Sequence, residues 1–353
     1  MTAYIIRRLL LVPVLLIGVT ILIFVMLQFL SPVERSALYI RDIPKNDRVV
    51  DGIIKRYGFN KPLYVQYWRW LVGFKDQEGE FTPGILQGNF GYSRTGSQLV
   101  IDLIRNRFPA TLELTLWSVL PIIAIGLWLG VQAAVHHNEW FDQAARIFSI
   151  VGSSFPTFVF GLLVLMIFYA NLRWFPPGRM SDWVTQVIHS GSFRSYTHLI
   201  TIDSILNGRV DIFLDALRHL FLPIITLSYI NWAGFLRVTR SSMLETLRQD
   251  YVTTARSKGL KEEDVINKHA RPNALIPVTT IAGFQVVGLL GGVVITETVF
   301  TYPGIGSAAA AAAASLDVVT VLGFALFNGF ILIIANLIVD IMYGVIDPRV
   351  RLS

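Results

Sequence analysis

Charge is missing from six long apolar stretches of the chain: Leu9–Leu30, Leu114–Val135, Ile147–Leu172, Leu220–Leu236, Asn273–Thr296 and Val318–Val339. A helix rises about 1.5 Å per residue, so 22 residues cover about 33 Å, and the hydrocarbon core of a bilayer is about 30 Å thick. Each stretch therefore predicts a membrane-spanning helix, 220–236 being the shortest. A buried helix of a soluble protein seldom runs so far without a polar edge. The pattern predicts an all-α membrane protein with six transmembrane helices. The first stretch follows Arg7 and Arg8, as a secretory signal would. Its apolar run is longer than a signal core, and Leu30-Ser31-Pro32 is a poor cleavage site, so an uncleaved anchor is expected. The uncharged segment 298–316 contains Pro303, Gly304, Gly306 and the run Ala308–Ala314. Its alanines favour insertion too weakly for a seventh span, and it reads as a short re-entrant or surface helix.

Basic residues set the expected orientation. With the N-terminus inside, the short inner segments hold 13 Lys and Arg, eight of them between Arg237 and Arg271, whereas the outer segments 173–219 and 297–317 hold five and none. This asymmetry places both termini in the cytoplasm. Three regions follow: a tail and first helix (1–30), an extracytoplasmic segment (31–110) and a five-helix core (111–353). The segment 31–110 is too polar to span and too aromatic to be disordered. It is expected to form a small helical cap in which Val65–Phe74 is amphipathic. The second outer segment, Arg173–Leu217, opens on Trp174-Phe175-Pro176-Pro177-Gly178, and aromatics there suit the headgroup layer.

The longest inner segment, 237–275, is the most informative. Leu236, Arg240, Met243, Leu244, Leu247 and Tyr251 follow an i, i+3, i+4 rhythm, so the fourth helix is predicted to run on beyond the membrane. Gly259 suits a left-handed helix end, with Arg256 and Lys258 favourably set against the helix dipole. A second short helix should start at Glu262, Glu263 and Asp264, end before Pro272, and give way to a span with Pro277 in its first turn. Two amphipathic helices around a glycine corner make a charged knuckle. Its rim would be Arg256, Lys258 and Glu262, and its apolar anchor Tyr251, Val252 and Leu260.

Composition bears on the chemistry. Only 15% of the 353 residues are charged and there is no Cys, which excludes disulfides, thiol nucleophiles and Cys-ligated metal. None of the seven lysines precedes Ser or Thr, so there is no phosphate-binding Walker loop. The helical zinc motif and the hydrolase nucleophile elbow are absent too. His136, His137, His189, His198 and His219 lie in loops or at span edges and are read as surface residues. No ionisable residue sits at the centre of a span, so an ion relay is also missing. A solute moved uphill by this protein must draw energy from a partner.

At the knuckle the sequence resembles a known family. Asp250–Leu260 (DYVTTARSKGL) and Val265–Pro277 (VINKHARPNALIP) look like the EAA loop of binding-protein-dependent ABC importers, in the form of the dipeptide/oligopeptide/nickel permeases. The resemblance extends over nearly the whole chain, through Tyr4–Leu10, Pro62–Tyr67, Gly88–Ser93, Pro109–Leu114, Ser154–Phe158, Leu217–Pro223, Glu297–Phe300 with Pro303–Gly306, and Asp347–Arg351. It implies a type I ABC importer permease fold in the cell membrane, without catalytic activity or a cofactor, ATP being bound by partner subunits. The implied partners are a second related permease, two cytoplasmic ATPases and an extracytoplasmic solute-binding protein, in contact with membrane lipid and not with nucleic acid. Ala255 and Gly259 match the motif, whereas Thr253 and Thr254 stand where Glu and Ala are usual. The family carries peptides, nickel or oligosaccharides, peptides being favoured here. Gly288 and Gly292 are spaced for close helix crossing, at the seam with the second permease or against the chain's own helices.

Overall fold

The computed structural model describes residues 2–40, 47–76 and 79–346; the ending Asp347–Arg351 lies outside them. Three helices are long and apolar enough to cross a membrane, and two bent pairs would each make one more. The first of the three, α1 (Thr2–Gln28), packs antiparallel to the last. Near its start Arg8 pairs with Asp340 at 2.8 Å and Tyr4 donates to the Asp340 carbonyl at 3.1 Å. Its middle brings Val19 against Gly329. The beginning of the chain and the end of the last helix therefore share one end of the molecule, here the terminal end.

The cap intervenes at the other end. It contains α2 (Pro32–Arg35), a 3₁₀ turn (Ser36–Leu38), α3 (Asp47–Tyr57) and α4 (Leu63–Val72). Two small antiparallel hairpins follow: β1 (Phe74–Lys75) with β2 (Phe81–Thr82), then β3 (Tyr92–Ser93) with β4 (Gln98–Leu99). The cap is thus not purely helical: Gly73 ends α4 with φ at +83°, and Phe74 starts a strand. Ile23, Phe24 and Leu27 of α1 meet Trp70, Ile85 and Phe90 of the cap in one cluster.

Helix α5 (Val100–Val135) already begins inside segment 31–110, because Val100, Leu103 and Ile104 are buried in that cluster. It runs parallel to α10 (Val210–Leu247): Leu114 shares a core with Leu220 near one end, and Val131 and Ala134 with Met243 at the other. The two axes come close because α5 offers glycine at the crossing. A Cβ on Gly126 would stand 2.5 Å from that of Phe235.

Parallel neighbours need a return path, supplied by α6 (Trp140–Ser154) and α7 (Thr157–Leu165), the latter continued by a π-helical turn (Met166–Asn171). The pair tracks α10 from one end to the other. Arg240 binds Asp142 at 2.6 Å, Ser149 donates to the Ala233 carbonyl at 3.2 Å, Val164 packs on Leu222, and Phe175 stacks on Phe221. The sequence predicts one membrane-spanning helix over 147–172. The structure instead bends it by 100°, because Pro156 forces the residue before it out of the helical region; Phe155 is extended, with ψ at 127°.

Between this pair and α10 lie α8 (Asp182–His189) and α9 (Ile200–Leu206), packed through Val184, Phe193, Ile200 and Ile212. After α10 come α11 (Asp250–Ser257), α12 (Glu262–Asp264), a π-helical turn (Val265–Ala270) and α13 (Arg271–Ala274). A 51° bend leads into α14 (Ile276–Leu290). Two short helices, α15 (Val294–Val299) and α16 (Ile305–Ala314), precede α17 (Val318–Ile346), the last of the three long apolar helices with α1 and α5. Tyr343 of α17 reaches back to the Thr280 carbonyl of α14, so the segment before α14 sits at the terminal end as well.

Candidate coupling site

The knuckle is built on the ends of α5 and α10. Helix α10 stops at Leu247, so Tyr251 belongs to the next helix, α11, and the single continuous helix expected through Tyr251 is not formed. Apolar spacing gives α11 one inward face. Val252 (0% exposed) and Ala255 (5%) point into a cluster with Val131, Ala134, Met243 and Val265. The expectation that Val252 belongs to the outward anchor is corrected: together with Ala255 it fastens the knuckle to its own chain. Tyr251 and Leu260, at 43% and 42% exposure, are the apolar side chains left outside.

Gly259 ends α11 with φ at +77° and donates its N–H to the Arg256 carbonyl at 2.9 Å, the left-handed end expected from the sequence. Among the described residues, no atom beyond its chain neighbours lies within 4 Å of where a Cβ would sit. Across this corner Arg256 binds Glu262 through both Nε and Nη2, at 2.7 Å for the shorter ion pair. The hydrogen bonds hold the Glu262 carboxyl below its ordinary range. Thr254 turns its hydroxyl to the Asp250 carbonyl at 2.9 Å, and Lys258 is exposed at the tip. Pro272 does not end the second helix. The wider π turn before it, Val265–Ala270, accommodates a residue that lacks an N–H, and the helix continues to Ala274.

The Gly288/Gly292 pair does not form a helical stripe. Gly288 faces open space, and Gly292 lies past the end of α14 with φ at +99°, where an added Cβ would stand 3.5 Å from Gly306. The close crossing of α14 with α17 is made at Gly283, against Val339 and Tyr343.

The cap end holds a polar core that sequence reasoning missed. Glu113 is 1% exposed and accepts from Arg179 at 2.8 Å and from the Thr201 N–H and hydroxyl at 2.7 and 2.8 Å. Glu297, fully buried, accepts from Thr111 and from the Ser307 N–H, both at 2.8 Å, and so caps α16 from a neighbouring helix. Asp317 binds the Thr95 N–H at 3.0 Å and ties the cap to the start of α17. His219 is also buried, 3% exposed, with Nδ1 2.9 Å from the Pro177 carbonyl; the reading of it as a surface residue is corrected. Among the described residues, no group of three or more His, Asp and Glu could hold a metal ion.

A further feature lies halfway along the bent pair. Gly152, just before the bend, packs on Tyr229, near the middle of the apolar part of α10. There α6 ends on Phe155 in an extended conformation, and no side chain caps the start of α7. Ser153, Ser154, Phe155 and Pro156 are all exposed. The helix is thus broken at an exposed segment in the middle of an apolar stretch.

Long apolar helices, a folded cap at one end and an exposed two-helix corner at the other define a multi-pass membrane protein. The chain belongs to the family described as binding-protein-dependent transport system inner membrane component, which it matches over residues 115–352. Residues 1–115 match the N-terminal family of the same membrane components. It is 38% identical over 359 residues to the di/tripeptide transport system permease protein DppB of Pseudomonas aeruginosa, covering 99% of each chain. It is 36% identical over 353 residues to the oligopeptide transport system permease protein AppB of Bacillus subtilis, covering 99% of this chain and 100% of that one. The dipeptide transport system permease protein DppB of Escherichia coli is 35% identical over 354 residues, covering 99% of each. The protein is therefore an inner-membrane permease component of a transport system and not an enzyme.

Proposed function

We propose that this chain forms half of the translocation pathway of an ATP-binding-cassette importer for peptides. A second, related permease completes the pathway, an extracytoplasmic binding protein delivers the solute, and two cytoplasmic ATPases drive the cycle through the knuckle 237–275. The observation that carries this reading is the division of labour in α11. Val252 and Ala255 are spent on attachment to α5 and α10, while Tyr251, Leu260 and the charges around Gly259 remain exposed on a corner that the chain itself does not cover. Force applied to that corner is passed to the two longest helices. The peptide class is supported by the relatives, all three of which carry peptide transport in their names.

The topology we propose has six crossings, made by α1, the α5 helix, the α6–α7 pair, α10, α14 and α17, with both termini in the cytoplasm. The Arg8–Asp340 pair at the knuckle's end of the molecule supports an even number of crossings, and the concentration of basic residues there supports its cytoplasmic side. The uncapped break at Ser154–Pro156 supports a place on the pathway wall. Lipid cannot satisfy free backbone groups, and irregular backbone at membrane depth is tolerated against protein or a water-filled cavity.

The test is uptake by the Gly259→Asp variant of the assembled transporter. Because no neighbouring described residue obstructs a Cβ there and Asp tolerates the left-handed backbone better than most residues, the variant is expected to insert and accumulate yet lose ATP-driven peptide uptake. Gly259→Asn, which tolerates the left-handed backbone without adding charge, should retain much of it. Normal uptake by Gly259→Asp would overturn the coupling assignment, and peptide accumulation by the chain alone in liposomes would overturn the importer reading.

A further inference from the structure

Among the described residues, a buried cation in the cap has no counter-charge. Arg35, at the end of α2, is 9% exposed. Its Nη1 donates to Gln28 at 2.6 Å and to Gln66 at 3.1 Å, both neutral amide oxygens, and its guanidinium lies 5.0 Å over the Phe59 ring. The adjacent carboxylate, Glu34, is turned away into a capping box with Ser31 at 2.8 Å. Among the described residues no carboxylate pairs with Arg35. A buried ion is ordinarily matched by an opposite charge, because desolvation without one is costly.

Two donors lie unused on residues that line one cavity. Arg35 Nε and Trp70 Nε1 are both buried and have no acceptor among the described residues, and Trp70 is 4% exposed. Both residues line one cavity of about 20 Å³, together with Gln28, Tyr39, Phe59 and Gln66. A single water needs about 10–15 Å³ on the same measure, so the space suits one monatomic occupant and is too small for a phosphate or the end of a peptide. The lining offers N–H donors, a fixed positive charge and aromatic edges.

We propose that this cavity is a halide site, occupied by chloride, in which Arg35 supplies the charge and Arg35 Nε and Trp70 Nε1 the hydrogen bonds. The ion would complete the joint between the end of α1 and the cap, since Gln28 belongs to α1, Arg35 to α2 and Trp70 to α4. The site is remote from the knuckle and independent of the transported solute.

The experiment is thermal unfolding of the full-length protein in detergent at constant ionic strength, with sodium chloride replaced stepwise by sodium gluconate or sodium acetate. Wild type is expected to unfold about 3 °C higher in chloride, with saturation. Trp70→Phe, which keeps the ring and removes the donor, should reduce the shift, and Arg35→Gln should abolish it. Should Arg35→Gln fail to fold, wild-type crystals grown in bromide decide the matter: an anomalous peak between Arg35 Nε and Trp70 Nε1 is expected. Equal midpoints in all three salts, a shift with acetate and not chloride, or a water without anomalous signal at that position would each overturn the assignment.

Discussion

The two ends of this molecule handle charge in opposite ways. At the cap end, Glu113, Glu297 and Asp317 are buried and satisfied within the chain, by Arg179, Thr111, Thr201, Ser307 and Thr95. At the tip of the knuckle Val252 and Ala255 turn inward while Tyr251, Leu260 and the charges stay outside, and Arg256 pairs with Glu262 and also reaches the Leu247 carbonyl. These three carboxylates are satisfied by the chain's own groups. The knuckle is finished underneath and left open above, as a surface that receives force should be. Stability should therefore be concentrated at the first end and transport sensitivity at the second.

Removing Arg179 should break this contrast most severely. Arg179→Met leaves the Glu113 carboxylate buried without its cation and should cost about 3–5 kcal/mol, read as a large drop in melting temperature in detergent. Adding Glu113→Leu should restore part of it. A single variant as stable as wild type would show that the pair is not structural. Next, Val252→Ala should cost about 2 kcal/mol by leaving a cavity under the knuckle, and transport should fall in proportion to the loss of folded protein. Tyr251→Ala separates the two roles: stability should change by less than about 0.5 kcal/mol, while uptake by the assembled transporter falls about tenfold if this ring is an anchor for the ATPase. Loss of stability without loss of specific activity would reverse the assignments of Tyr251 and Val252. Smallest of all, Glu262→Gln removes an exposed ion pair worth under about 1 kcal/mol and should leave melting unchanged within error.

What was legible beforehand follows from the range over which each signal acts. Absence of charge is a local property, and it located the apolar segments of α1, α5, α10 and α17. Gly259 and the acidic start of α12 are local too, and the corner lies where they put it. The bend at Phe155 falls at Gly152-Ser153-Ser154-Phe155-Pro156, a local signal that the absence of charge over the whole run does not register. Val252 was misassigned because its apolar character is the same whether it faces a partner or α5, and only the packing of Val131 and Met243 decides. Glu113 and Glu297 could not be paired with Arg179 and Thr111 from one sequence, since 66 and 186 residues separate them.

The clasp between the first and last helices has a consequence for biosynthesis. Helix α1 emerges from the ribosome long before the α17 residues that clasp it, Gly329 and Asp340, are made. Throughout translation it must wait in the bilayer without its mate, and a nascent chain that stops short of α17 would leave it stranded for quality-control proteases to find.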